Sequence, residues 1–172
     1  MKIVEYLDIR KASADDAEEL CVLLNEIIEV GGTTALEEPL SVKELTDWFI
    51  TGKSALTCHV AQAGPGIAGF QFLSLYENLP KGWADIGTFA RLSPKIPGVG
   101  TKLFAATLST AEERGVAFIN ATIRADNTGG LAYYEKMGFR TYKTIDKVPL
   151  RDGTLVDRIQ KCFAVKKNLS GV

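Results

Sequence analysis

Histidine occurs once and cysteine three times in this chain, and that scarcity already narrows its chemistry. Cys21, Cys58 and Cys162 are widely spaced with no CxxC or CxxH pattern, so neither a zinc site nor a disulfide framework is expected. Sparse, unpaired thiols fit a reducing cytoplasm, and no metal cofactor is anticipated. An excess of one charge is also missing: 20 Lys and Arg meet 21 Asp and Glu. A formal charge of -1 sets up no field that would draw nucleic acid or an anionic membrane surface. No run approaches the ~18 apolar residues of a membrane span. Glu5 and Asp8 interrupt the N-terminal MKIVEYLDIR, so no secretory leader is expected either. Repeats, low-complexity tracts and linkers are absent, and the six prolines and 16 glycines are scattered as punctuation.

What is present suits one globular domain over residues 1–172, with 46% hydrophobic residues and a mean hydropathy near zero. Residues 4–10 read as a strand. Ser13 with Asp16 opens a helix whose apolar positions, Ala17, Leu20, Leu23, Leu24, Ile27 and Ile28, form one stripe that stops at Gly31 and Gly32. After a polar loop from Thr33 to Leu40, Ser41 and Glu44 form a capping box for a short helix ending near Gly52. Leu56–Ala63 and Ile67–Leu75 read as a hairpin turning at Gly64, Pro65 and Gly66, and Trp83–Arg91 as a further strand. Val99, Leu103, Phe104, Leu108 and Ala111 recur at helical spacing until Gly115. A strand over Val116–Ile123, a helix over Gly129–Met137 closed by Gly138, and strands near Phe139–Ile145 and Leu155–Val165 complete the order βααβββαβαββ, a mixed α/β sheet carrying helices.

The segment Lys95-Ile96-Pro97-Gly98-Val99-Gly100-Thr101-Lys102 puts two glycines where a strand hands over to a helix. Free N–H groups at a helix start attract an anion, and glycine lets a phosphate come close to the backbone. Lys95 and Lys102 add charge from the sides. A plain turn into the helix is the other reading. No third glycine follows two residues after Gly100, and no Walker pattern surrounds Lys102, so neither NAD nor ATP is favoured.

Together with Asn127, Tyr134 and the ending Glu135-Lys136-Met137-Gly138-Phe139, this turn resembles the acetyl-CoA site of the GCN5-related N-acetyltransferase (GNAT) family. In that family a (Gln/Arg)-x-x-Gly-x-(Gly/Ala) loop holds the CoA pyrophosphate. Lys95-Ile96-Pro97-Gly98-Val99-Gly100 is similar, with lysine in the first place. The resemblance spans nearly the whole chain and implies a mostly antiparallel sheet of about seven strands flanked by four helices. The loop around Glu37 and Glu38, with Trp48 and Phe49 beyond it, is similar to the phosphinothricin-acetyltransferase-like branch, which implies a small amine acceptor. Family members often form homodimers.

Residue roles follow from the resemblance. Acetyl-CoA would lie along the strand edge at Phe89, Ala90 and Arg91, against the turn at Lys95, Pro97, Gly98, Val99, Gly100, Thr101 and Lys102, and near Asn127. Tyr134 would protonate the leaving thiolate, a task suited to a phenol that stays protonated at neutral pH. Core packing is its other reading. Asp85 sits where related enzymes often carry a glutamate base; alternation puts it on the face of Gly87, opposite Ile86 and Thr88, so it either meets a pocket or is a solvated strand-end charge. Glu37 and Glu38 are substrate contacts or solvated loop acids. His59 and the three cysteines are read as structural. A non-catalytic CoA-binding module and a protein or peptide acetyltransferase are the alternatives.

Overall fold

The computed structural model describes residues 6–166, so the first part of the strand expected over 4–10 lies outside the described residues. Its elements are β1 (Leu7–Lys11), a 3-10 turn (Ala14–Asp16), α1 (Ala17–Val30), α2 (Val42–Leu45) running into a π-helical turn (Thr46–Ile50), β2 (Ala55–Ala63), β3 (Gly66–Ser74), β4 (Trp83–Ala90), α3 (Val99–Glu113), β5 (Phe118–Arg124), α4 (Thr128–Met137), β6 (Arg140–Pro149) and β7 (Leu155–Ala164). The seven strands form one sheet in the order β1-β2-β3-β4-β5-β7-β6. Every pairing is antiparallel except β4 with β5.

Local chemistry explains the helix starts. Asp16 takes the Ser13 N–H at 2.8 Å and is held by two Arg10 bonds of 2.8 Å, which fixes the chain direction into α1. Ser41 and Glu44 exchange both bonds of a capping box at the head of α2. The stripe on α1 is buried as expected, and Leu20 and Leu24 are fully enclosed, each contributing about 2 kcal/mol of burial.

The helices divide between the two faces of the sheet. Helices α1 and α2 pack on Cys58, Val60, Phe70, Phe72 and Phe89. Helix α3 covers Leu7, Ala61 and Ala68 on the other face through Val99 and Leu103. Farther along that same face, Phe104 of α3 and Tyr134 of α4 close over Leu73, Ala84, Ile86, Ile119 and Ala121. No helix among the described residues is long and apolar enough to cross a membrane.

Two elements depart from the sequence reading. Strand β5 begins at Phe118 because the Gly115 and Val116 amides bond back to Glu112 and Ala111 and finish α3. Strand β6 runs on to Pro149 through two irregularities against β7, with Lys147 at φ 51.

Candidate active site

The parallel pair at the centre of the sheet sets up the site. β4 and β5 are joined only at Trp83–Phe118, Ala84–Ile119 and Asp85–Asn120. Past that point β4 continues to Ala90 bonded to β3 alone, and β5 continues to Arg124 bonded to β7 alone. The strands therefore splay, leaving an unpaired β4 edge from Ile86 to Ala90 that can bond an extended ligand as a further strand would.

On the α3 side, the glycine turn lies beyond the end of this edge. Gly98 is the N-cap of α3 at φ 82, where a side chain would be strained, and apart from its immediate chain neighbours the space where its Cβ would sit is open among the described residues. The first helical bond runs from the Lys102 N–H to the Gly98 carbonyl at 3.0 Å, so the amides at 99–101 have no partner in the helix ladder. No side chain among the described residues caps the helix. The turn is thus open and electropositive, with the exposed Lys95 and Lys102 beside it. Gly100 serves packing instead: a Cβ there would stand 2.6 Å from the Tyr133 ring.

Tyr134, on α4, is buried against Phe139 and Tyr133, and its hydroxyl lies 2.9 Å from Thr88 Oγ1 on the splayed part of β4. Burial pushes its phenol well above the ordinary value, with the Thr88 bond pulling the other way, so it holds its proton at any working pH. The Tyr134 ring packs in the core, as one sequence reading has it, while its hydroxyl meets the cleft strand.

Asp85 belongs to the opposite face, with Gly87 and Phe89, as alternation requires. Its Oδ1 accepts a 2.7 Å bond from Asn120 Nδ2, and Asn120 Oδ1 in turn accepts the Tyr142 hydroxyl at 2.5 Å. Burial raises the Asp85 carboxyl to about 6, opposed by the Asn120 bond. Trp83, Phe118 and Tyr142 pack together beside it, with ring centroids 4.9 and 5.5 Å from Trp83. An acid poised near neutrality and a fully protonated phenol therefore flank the splay from its two sides.

Other expected residues sit apart or are engaged. Asn127 caps α4 by accepting the Gly130 N–H at 2.9 Å and donates to the Thr33 carbonyl at 3.1 Å, which leaves one amide hydrogen uncommitted. The Arg91 guanidinium donates to the Ile67 carbonyl. Glu37 accepts the Arg151 N–H at 3.1 Å and Glu38 forms an ion pair with the Arg151 side chain, so both acids tie their loop to the β6–β7 turn. Glu37, Leu36, Arg124 and Arg151 line a cavity of about 510 Å³ at that end. His59 is buried, and burial together with the nearby Lys11 charge holds its imidazole below the ordinary value. Burial pushes the Cys58 thiol up to about 12, which removes it as a nucleophile at neutral pH. Among the described residues no cluster of His, Cys, Asp or Glu is arranged to hold a metal ion. The residues the sequence reading missed are Asn120, Gln71, Thr88 and Tyr142. The only sign of the first two was a lone amide inside an apolar central strand, Ile119-Asn120-Ala121 and Phe70-Gln71-Phe72.

Comparison with known proteins bears on the fold and the family. A Bacillus subtilis (strain 168) protein named "Putative phosphinothricin acetyltransferase YwnH" is 23% identical over 154 residues, 88% of this chain and 94% of that protein. The crystal structure of a ribosomal-protein-alanine N-acetyltransferase from Brucella melitensis superposes with a TM-score of 0.81 at 20% identity, covering 92% of this chain and 99% of that one. The yncA structure from Salmonella typhimurium, solved with its cofactor acetyl-CoA, superposes with a TM-score of 0.78 at 12% identity over 95% of this chain and 96% of that one. The model of the acetyltransferase (GNAT) family matches residues 23–139, and the chain belongs to that family of acyltransferases.

Proposed function

We propose that this acetyltransferase takes its acyl group from acetyl-CoA and delivers it to the primary amine of a small molecule, by direct attack with both substrates bound. The splay carries this reading, because it joins an open, uncapped helix start on one face to an acid poised near neutrality on the other. The unpaired N–H groups at 99–101 would hold the pyrophosphate and the Ile86–Ala90 edge the pantetheine amides. When bound, acetyl-CoA supplies an activated acyl group as a thioester. The chain supplies proton handling: Asp85, ionised above about pH 6, takes a proton from the incoming ammonium so that the amine can attack. Tyr134 presents its hydroxyl proton to the leaving sulfur. The β4 edge aligns the acyl carbon between them.

The small size of the acceptor is supported by the loop at Glu37 and Glu38, which the Arg151 contacts tie to the β6–β7 turn beside the cavity of about 510 Å³. The three free thiols suit a reducing, cytoplasmic setting. The test is a thiol-release screen with acetyl-CoA over amino acids, polyamines, antibiotic amines and peptides, alongside calorimetry with CoA. Turnover of a free amine supports the reading. Turnover of peptides alone refutes the small acceptor, CoA binding with no turnover anywhere refutes catalysis, and absence of CoA binding refutes the cofactor.

A further inference from the structure

Five groups on the α3 side form an unbroken hydrogen-bonded series whose proton directions are fixed from one end as far as Thr88. The Gly100 carbonyl can only accept, so the Tyr133 hydroxyl, 2.7 Å away, must donate to it. With its one proton committed, Tyr133 Oη can only accept from its other neighbour, the Gln71 carboxamide at 3.1 Å. That neighbour must therefore be Nε2. The second Nε2 hydrogen goes to Thr88 Oγ1 at 2.9 Å, the side chain directly across the β3–β4 ladder. Thr88 is half-buried and has one further side-chain partner among the described residues, Tyr134 Oη at 2.9 Å, a bond in which either hydroxyl can be the donor. The Gln71 bond leaves the Thr88 proton free to be donated to Tyr134, and in that arrangement the Tyr134 proton is uncommitted.

Gln71 is a costly choice of residue for this place. It is fully buried in the interior strand β3, and its Oε1 has no hydrogen-bond partner among the described residues, so its desolvation is uncompensated. Turning the amide over would satisfy that oxygen with two hydroxyl donors and would also reverse the series. The observed arrangement leaves one acceptor unmet and presents a Gln71 hydrogen, not its oxygen, to Thr88.

We propose that Thr88 donates to Tyr134 and that Gln71 is a positioning residue for acyl transfer, acting through Thr88 to hold the Tyr134 hydroxyl as a proton donor to the cleft, with Tyr133 and the Gly100 carbonyl as the anchor that fixes the orientation of the Gln71 amide. In the transfer step the Tyr134 O–H bond breaks as its proton passes to the sulfur departing from the acyl carbon. The phenolate oxygen so formed receives the Thr88 hydrogen bond until it regains a proton from solvent, while the proton lost by the attacking amine leaves through Asp85. The same series ties the first turn of α3, which would carry the pyrophosphate, to the phenol at the other end of the cofactor. This inference rests on the proton-donor role given to Tyr134 above.

The experiment compares steady-state kinetics with acetyl-CoA and the best amine of the panel for Tyr134→Phe, Thr88→Val, Thr88→Ser and Gln71→Glu. The Gln71→Glu side chain keeps the shape but cannot donate when ionised, so both hydroxyls must turn toward it. Expected are kcat losses on the order of 10- to 100-fold for Gln71→Glu and Thr88→Val, with the KM for acetyl-CoA changed less than about threefold, and recovery in Thr88→Ser. In the free protein, NMR should show the two Gln71 amide protons in contact with Tyr133 and Thr88. Thr88→Val with unchanged kcat, or an amide turned away from both hydroxyls, overturns the inference even if Gln71→Glu fails to fold. If Tyr134→Phe itself keeps full activity, the fault lies in the proton-donor role instead.

Discussion

Replacing Asp85 by asparagine is expected to stabilise the protein at the pH where it disables it. The carboxyl rises from an ordinary 3.8 to about 6 in the fold because burial penalises its charge. Between those values the native state binds more protons than the unfolded chain, so stability falls as pH rises through this window. At about 1.36 kcal/mol per pH unit the full loss is about 3 kcal/mol, and about 2 once the solvent contact that Asp85 retains is allowed for. Asparagine keeps an oxygen to accept the Asn120 bond and carries no charge to desolvate. Denaturant titrations of both proteins should therefore coincide near pH 4 and separate by about 2 kcal/mol at pH 8, with Asp85→Asn the more stable. In parallel, kcat/KM of the wild type should rise tenfold per pH unit below about pH 6 and level above it. Asp85→Asn should lose this limb together with about two orders of magnitude of activity. Equal stabilities at pH 8, or an acidic limb that survives the substitution, would refute the assignment of a buried, ionising base.

Other substitutions separate binding from chemistry. Gly98→Val places a β-branched residue at φ 82 over the open turn, and should raise the KM for acetyl-CoA at least tenfold while calorimetry shows weakened CoA binding. Tyr134→Phe keeps the packed ring, so its thermal midpoint should fall by only a few degrees while kcat drops about 100-fold. Gly100→Leu drives a side chain into the Tyr133 ring, and circular-dichroism melts should show a loss of about 2 kcal/mol or more. Leu24→Ala, beneath α1, should cost about 2–5 kcal/mol in denaturant titration and leave the KM for acetyl-CoA unchanged.

The parts of the fold that could be read from sequence are those with local causes. Ser41 and Glu44 announced a helix because the capping box is complete within four residues. The α1 stripe was visible because one face of the helix is buried along its whole length. Strand β6 was harder: nearly every residue from Arg140 to Pro149 is exposed, so no alternation marks its extent, and its length comes from pairing with β7. Within the site, Gly98 and Tyr134 belong to motifs contiguous in sequence. Gln71, Thr88 and Asn120 do not, since their partners lie 62, 46 and 35 residues away. Their roles exist only once the strands are side by side. Asn127 illustrates the converse, because its local duty as the α4 cap was equally available to the sequence reading, which attended to its place in the longer motif.

The parting of β4 from β5 makes the sheet a partition with a slot in it. The thioester would arrive from beneath α3 and α4 and the nucleophile from the far side, so neither blocks the other's door. Initial-rate plots against the two reactants should then intersect, without the parallel lines of a shuttled acyl group. A conjugate fusing amine to coenzyme would have to be threaded through the slot end first.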